Sequence, residues 1–211
     1  MTHILHIESS PSSDASTSTN IARQLLSAYA ERCPSSTIDT TDVWRIDLPA
    51  FDETMIAAKF AVLRTQSATM EQQLRWAQAV SISHAFNRAD RYVFSLPMWN
   101  FGIPYRLKHY IDVVTLPGQN WTWTKSEGYK PLLRNKRAVL IYSSANDYPL
   151  APPLPGPSSD FQKPYMRKWL DFIGIEVVDE IVVAPTLTDP THLAEIKHTG
   201  RLEAIRAANT L

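Results

Sequence analysis

Two hydrophobic periods alternate along this chain: a short apolar run of strand length, then a stripe at helical spacing, repeated toward the C-terminus. The first run, His3-Ile4-Leu5-His6-Ile7-Glu8, reads as a buried strand and stops at Ser9-Ser10-Pro11-Ser12-Ser13-Asp14. Ile21, Leu25, Leu26 and Tyr29 then recur at helical spacing up to Cys33-Pro34. Residues 37–46 alternate apolar and polar, which predicts a second and more exposed strand. Residues 53–88 predict helix in two pieces, one lined by Met55, Ile56, Phe60 and Leu63, the other by Leu74, Ala77, Val80 and Ile82. Arg91-Tyr92-Val93-Phe94-Ser95-Leu96-Pro97 has the character of a central strand that Pro97 must stop. Pro104 suits the first position of a helix striped by Leu107, Ile111 and Val114, and Pro117-Gly118 ends it. Trp121 and Trp123, followed by Gly128, predict a short hairpin before a strand at 137–142. A loop dense in proline follows (Pro149, Pro152, Pro153, Pro155, Pro157, Pro164), with helix expected at 160–173, strand at 176–184 and helix at 190–208.

Strands separated by helices imply a parallel sheet covered on both faces, because each parallel return needs a crossover. Five such strands suit the order 2-1-3-4-5, and ligands of such sheets sit at the carboxyl ends of the strands where the order reverses. Here that means the loops after the first and third strands.

Composition narrows the partners. The 211 residues suffice for one well-buried core, so a single domain over 1–211 is expected. Lys and Arg total 21 and Asp and Glu total 21, which leaves no whole-molecule field to hold nucleic acid or an anionic membrane. A small-molecule partner is favoured. The single cysteine, Cys33, excludes an internal disulfide and a cysteine metal cluster, and it reads as inert. No apolar run approaches the roughly 18 residues of a membrane span, and the first segment lacks a basic region, so cytoplasm is the expected compartment. The six histidines show no metal-ligand spacing; His3 and His6 point to opposite faces of their strand, so no metal is expected. No G-x-S-x-G elbow marks a serine hydrolase.

The loop over residues 9–20 carries eight serines and threonines and no lysine, arginine or glycine. Hydroxyls and backbone amides at a helix start hold a phosphate without a cation, whereas a nucleoside triphosphate calls for G-x-x-x-x-G-K-[ST] and a dinucleotide for G-x-G-x-x-G; neither occurs. Ordinary helix capping explains the same residues equally well. The second loop, Pro97-Met98-Trp99-Asn100-Phe101-Gly102, offers a thioether, two aromatics, an amide and close backbone N–H groups, which are the contacts a flat heteroaromatic ring needs. Core packing is the competing reading.

These residues carry a resemblance. The chain is similar to the FMN-dependent NADH:quinone oxidoreductases and azoreductases of the flavodoxin-like superfamily. Ser9-Ser10-Pro11 and Ser16-Thr17-Ser18 resemble the family's phosphate loop. Pro97-Met98-Trp99-Asn100-Phe101 resembles its P-M-[YW]-N-F signature, and Pro104, Leu107, Lys108, Asp112 and Trp121-Thr122 continue the likeness. Pro164-Tyr165 through Leu170, with Phe172-Ile173-Gly174-Ile175, is similar to the family's approach to the last strand. The implied fold is a flavodoxin-like three-layer α/β sandwich. By the same resemblance, Ser10, Ser16, Thr17 and Ser18 hold the FMN phosphate and Pro97, Met98, Trp99, Asn100 and Phe101 the ring. Ser143 and Asn146 meet its edge near strand four, while Trp121, Trp123 and Phe161 face the acceptor. Two departures stand out. Ser143-Ser144-Ala145-Asn146 replaces the family's Ser-x-Gly-Gly, which predicts side chains where glycine permits positive φ; the last strand ends Ala184-Pro185-Thr186 rather than in an alanine, glutamate, glycine turn.

The implied activity is a ping-pong, two-electron reduction in which NADH or NADPH reduces tightly bound FMN and a quinone, azo or nitro acceptor then takes the donor's place. Such chemistry asks side chains for little beyond orientation, which suits the lack of an acid–base pair. A homodimer with sites at its interface is implied by resemblance alone. The rival readings are a flavodoxin-type electron carrier, disfavoured by the neutral charge and the added hairpin and proline-rich loop, and a cofactor-free phosphoester-binding regulator.

Overall fold

The computed structural model describes residues 1–64, 66–148 and 159–211. Pro149, Pro152, Pro153, Pro155 and Pro157 of the proline-dense loop lie outside the described residues. The strands are β1 (His3–Glu8), β2 (Thr37–Asp42), β3 (Arg91–Pro97), β4 (Trp121–Thr124), β5 (Gly128–Pro131), β6 (Lys136–Ser143) and β7 (Ile175–Val183). The helices are α1 (Thr17–Arg32), α2 (Glu53–Leu63), α3 (Met70–Asn87), α4 (Tyr105–Val114), α5 (Gln162–Ile173) and α6 (Pro190–Ala207). Five parallel strands lie in the order β2-β1-β3-β6-β7, which is the expected 2-1-3-4-5 once the antiparallel β4–β5 hairpin is set aside. The chain has the flavodoxin-like fold.

Strand alternation divides the core. Leu5 and Ile7 face a layer built by α2 to α5, with Met55, Phe86, Leu107, Tyr110, Met166 and Trp169 buried against the sheet. Ile4, Val93, Val139 and Ile141 face the other layer, where α1 brings Ile21, Leu25 and Leu26 and α6 brings Ala204 and Ala207. The central strands are buried on both faces, hence their unbroken apolar runs. Edge strand β2 is largely exposed.

Local chemistry sets the boundaries, and two of the departures from expectation have a clear cause. β2 stops at Asp42 rather than continuing to Ile46, because the Asp42 carboxylate accepts the Trp44 N–H at 2.8 Å and turns the chain. Pro104 is the N-cap of α4 rather than its first residue, since its ψ of 140° is extended. The break between α2 and α3 is enforced by a capping box, Thr69 with Gln72. Gly174 ends α5 at φ 91°, and a Cβ there would come within 2.4 Å of the Leu133 carbonyl oxygen, so only glycine fits.

Candidate active site

The two loops singled out from the sequence are neighbours. Glu8 pairs with Ser95 in the sheet, and the chain leaves β1 with the Ser9 N–H and hydroxyl both bonded to the Ser95 carbonyl, at 3.3 and 2.5 Å. Trp44 bridges the loops: its indole N–H donates to the Ser9 carbonyl at 3.0 Å while its ring lies 5.5 Å from that of Trp99. A single ligand can therefore touch both.

The first loop ends in a helix start with donors to spare. Ser16 caps α1 by accepting the Thr19 N–H at 3.3 Å, and its oxygen lies 3.4 Å from that of the buried Ser18. The Thr17 and Ser18 N–H groups have no hydrogen-bond acceptor among the described residues, and they sit at the positive end of the helix dipole. Ser10 is buried, its hydroxyl accepting the Ser12 N–H at 3.3 Å. Thr17 also lines a different groove, with Gln24, Lys197 and Arg201. Arg23 is no substitute cation: it is bonded to Glu8 at 3.3 Å and to Asp14 at 2.5 Å.

His6 lies beneath this loop, its Nε2 3.2 Å from the Ser95 hydroxyl. Burial, aided by the Arg23 charge, pushes its pKa down to about 3, so the ring is neutral and its 3.7 Å approach to Glu8 is not an ion pair.

The second loop is a tight turn. The Met98 N–H donates to the Ser143 carbonyl at 2.8 Å, and Trp99 and Gly102 exchange N–H to carbonyl bonds at 2.9 and 3.0 Å. Between them Asn100 and Phe101 take φ of 47° and 69°, the paired left-handed conformation of a type I′ turn. This leaves the Asn100 and Phe101 N–H groups without acceptors among the described residues, in two residues whose side chains are exposed. Strain of this kind is held in place by its surroundings. Gln162 donates to the Leu96 and Pro97 carbonyls at 3.3 and 3.0 Å, and the Phe161 N–H to the Phe101 carbonyl at 2.9 Å. A cavity of about 490 Å³ opens beside the turn, lined by Trp99, Asn100, Ile103, Tyr105, Phe161 and Tyr165.

The remaining predicted residues divide. Phe161 joins the turn, and Ser143 lies at the end of β6 in register with Pro97. Asn146 is exposed, its amide 3.4 Å from the Tyr148 hydroxyl, whose ring packs edge-on to Phe101 at 5.9 Å. Ala145 and Asn146, which stand where the family has glycines, do not have positive φ; the non-glycine residues that do are Ser13, Asn100, Phe101 and Asn135 among the described residues. Trp121 lines a second cavity of about 450 Å³, and Trp123 is exposed and lines neither. Trp44, Tyr105 and Tyr165 were missed. Trp44 was hidden inside the strand expected over 37–46; it enters the site because β2 stops at Asp42.

The residues fit a flavin monophosphate: free helix-start amides and buried hydroxyls for the phosphate, then unpaired turn amides and aromatic walls for the ring. Among the described residues no group of His, Cys, Asp and Glu is arranged to hold a metal ion, and no helix is long and apolar enough to cross a membrane.

Comparison with known proteins agrees. Residues 2–206 match the family described by its flavodoxin-like fold. An FMN-dependent NADH:quinone oxidoreductase of Desulfotalea psychrophila is 38% identical over 211 residues, covering 100% of this chain and 98% of that protein. Among solved structures, an azoreductase from Bacillus anthracis str. Sterne superposes with a TM-score of 0.87 at 26% identity, with full coverage of both chains (100% and 100%). An FMN-dependent NADH-azoreductase from Bacillus anthracis str. Ames Ancestor, solved in complex with FMN, gives 0.84 at 25% identity over 100% of this chain and 99% of that one. By its fold and by 38% identity along its whole length to such a relative, this chain belongs to the family of FMN-dependent NADH:quinone oxidoreductases.

Proposed function

We propose that the 211 residues act as one FMN-binding domain that uses NADH to reduce quinones and aromatic azo compounds, with donor and acceptor occupying the same cavity in turn. The observation that carries this reading is the adjacency, through Trp44, of a cation-free phosphate cradle and an aromatic turn with unused N–H donors. Bound FMN supplies the hydride acceptance and delivery. The Thr17 and Ser18 amides and the Ser16 and Ser18 hydroxyls hold its phosphate. The Asn100 and Phe101 amides meet the carbonyl edge of the ring, and Met98 and Trp99 give it an apolar wall. Phe161 and Tyr165 flank the cavity in which a planar acceptor lies. Because bound FMN would carry the reaction, the side chains act by orientation and by excluding water.

A homodimer with the sites at its interface is part of this proposal. Ile56, Phe60, Val62 and Leu63 of α2 are each more than 40% exposed, as are Trp123 and Tyr129 of the hairpin, an apolar surface that a second copy would cover. The proposed compartment is the cytoplasm, where reduced nicotinamide is plentiful.

Stopped-flow mixing of the FMN-loaded protein with NADH tests the activity. Bleaching of the visible flavin band, followed by its return on adding menadione, is expected; a band that NADH leaves unchanged refutes the reductase. Sedimentation of the loaded protein as a monomer refutes the shared site.

A further inference from the structure

The phosphate cradle stands in an unfavourable local field. Glu8 and Asp14 flank the loop that leads into α1, and the cation bonded to them is Arg23, so two carboxylates face one guanidinium. His6 beneath the loop is neutral. A phosphate monoester carries about −1.5 to −2 charge at pH 7 and must come to rest beside this surplus of negative charge. The dipole of α1 offers roughly half an elementary charge against it. More positive charge is needed than the loop contains.

A groove of about 280 Å³ between α1 and α6 is lined by Thr17, Asn20, Ile21, Gln24, Lys197 and Arg201. Thr17 belongs to both sites, since its N–H is one of the unmatched amides at the start of α1. Helix α6 packs this closely because residue 200 is glycine: a Cβ there would come within 3.0 Å of a Val183 methyl and 3.7 Å of the Ile21 side chain. Lys197 and Arg201 are four residues apart and so share a face of α6. Neither makes a hydrogen bond or ion pair among the described residues, and no carboxylate lines the groove. The shared Thr17 puts both charges on the scale of a Debye length, roughly 8–10 Å, from the cradle, close enough to act on an anion held there. Two cations without a counterion beside a cradle without a cation complement one class of group: a phosphate monoester.

We propose that Lys197 and Arg201 are the electrostatic half of the cofactor site: they draw the phosphate end of FMN to the start of α1 and supply the counter-charge that the loop lacks. The inference rests on the reading of the cradle as an FMN site. Two tasks are thereby divided, the amides and hydroxyls fixing the phosphate by hydrogen bonds and α6 setting its affinity and rate of capture through charge.

Fluorescence titration of the full chain, stripped of flavin, with FMN and with riboflavin tests it without turnover, because riboflavin has the same ring and no phosphate. The readout is the ratio of the riboflavin to the FMN dissociation constant. Lys197→Met combined with Arg201→Met is expected to lower that ratio about tenfold, through weaker FMN binding alone, and to slow FMN association by about the same factor. The loss should shrink as salt is raised toward about 0.5 M. Lys197→Arg combined with Arg201→Lys keeps both charges and should keep the ratio. Lys168→Met, which removes a cation from α5 in the opposite helix layer, should leave it unchanged. A ratio that the double Met variant leaves intact, or FMN and riboflavin weakened alike, overturns the proposal while the FMN reading stands. A parent chain that binds neither flavin overturns the FMN reading and the proposal with it.

Discussion

The Asn100–Phe101 turn makes a prediction whose sign is opposite to that of ordinary positions. Phe101 sits at φ 69° with 48% of its surface exposed, and its ring meets Tyr148 edge-on at 5.9 Å. Substituting Phe101 by Ala or by Gly removes the ring equally, so the two variants differ only in a Cβ. In the left-handed region that Cβ costs about 1–2 kcal/mol. Glycine loses about 0.4–1 kcal/mol of this advantage through its freer unfolded chain. The midpoints leave Phe101→Gly more stable than Phe101→Ala by about 0.8 kcal/mol, or roughly 2–3 °C in the unfolding midpoint of a chain this long. Ala145→Gly is the internal control. Its backbone is not left-handed, so restoring the family's glycine should destabilise by about 0.4–1 kcal/mol. Differential scanning calorimetry of the cofactor-free proteins reads all three. If Phe101→Ala proves at least as stable as Phe101→Gly, the turn is not held in the paired left-handed conformation and the argument that its amides are left free fails with it.

Two further predictions concern the phosphate side. His6 is held neutral in the fold with a pKa of about 3 against 6.5 unfolded, so the unfolded chain binds the extra proton as pH falls below 6.5 and stability is lost in that direction. At pH 5 the loss is about 2 kcal/mol, or roughly 4–8 °C, and His6→Gln should remove that part of the decline; an unchanged pH slope in the variant contradicts the buried neutral ring. Ser16→Ala should lower both stability, by about 1 kcal/mol through the lost cap, and FMN affinity, whereas Ser18→Ala should weaken FMN binding about tenfold with little loss of cap. Flavin fluorescence titration beside thermal unfolding separates them, and equal FMN affinity in Ser18→Ala and the parent would remove Ser18 from the phosphate site.

The sheet was legible from sequence because its central strands are buried on both faces. An apolar run such as Tyr92-Val93-Phe94 and a stripe such as Leu107, Ile111 and Val114 are short-range signals that burial imposes on each element separately. The carboxyl ends of β1 and β3, where the strand order reverses, then mark both loops. Pro97-Met98-Trp99-Asn100-Phe101 was readable as a motif, yet its backbone was not: residue types do not mark Asn100 and Phe101 as a left-handed pair. A dihedral of that kind is held by the Trp99–Gly102 bonds and by the Phe161 N–H to the Phe101 carbonyl, the latter spanning 60 residues of chain. The same holds for Trp44 between the two loops and for Lys197 and Arg201 beside Thr17, donors brought together from elements far apart in the chain. Residue types and periodicity thus set the layers, the strand order and the loops where a ligand meets the protein. Which donors remain unmatched there was decided only by tertiary structure, because a hydrogen bond is satisfied or left open by partners that no local pattern names.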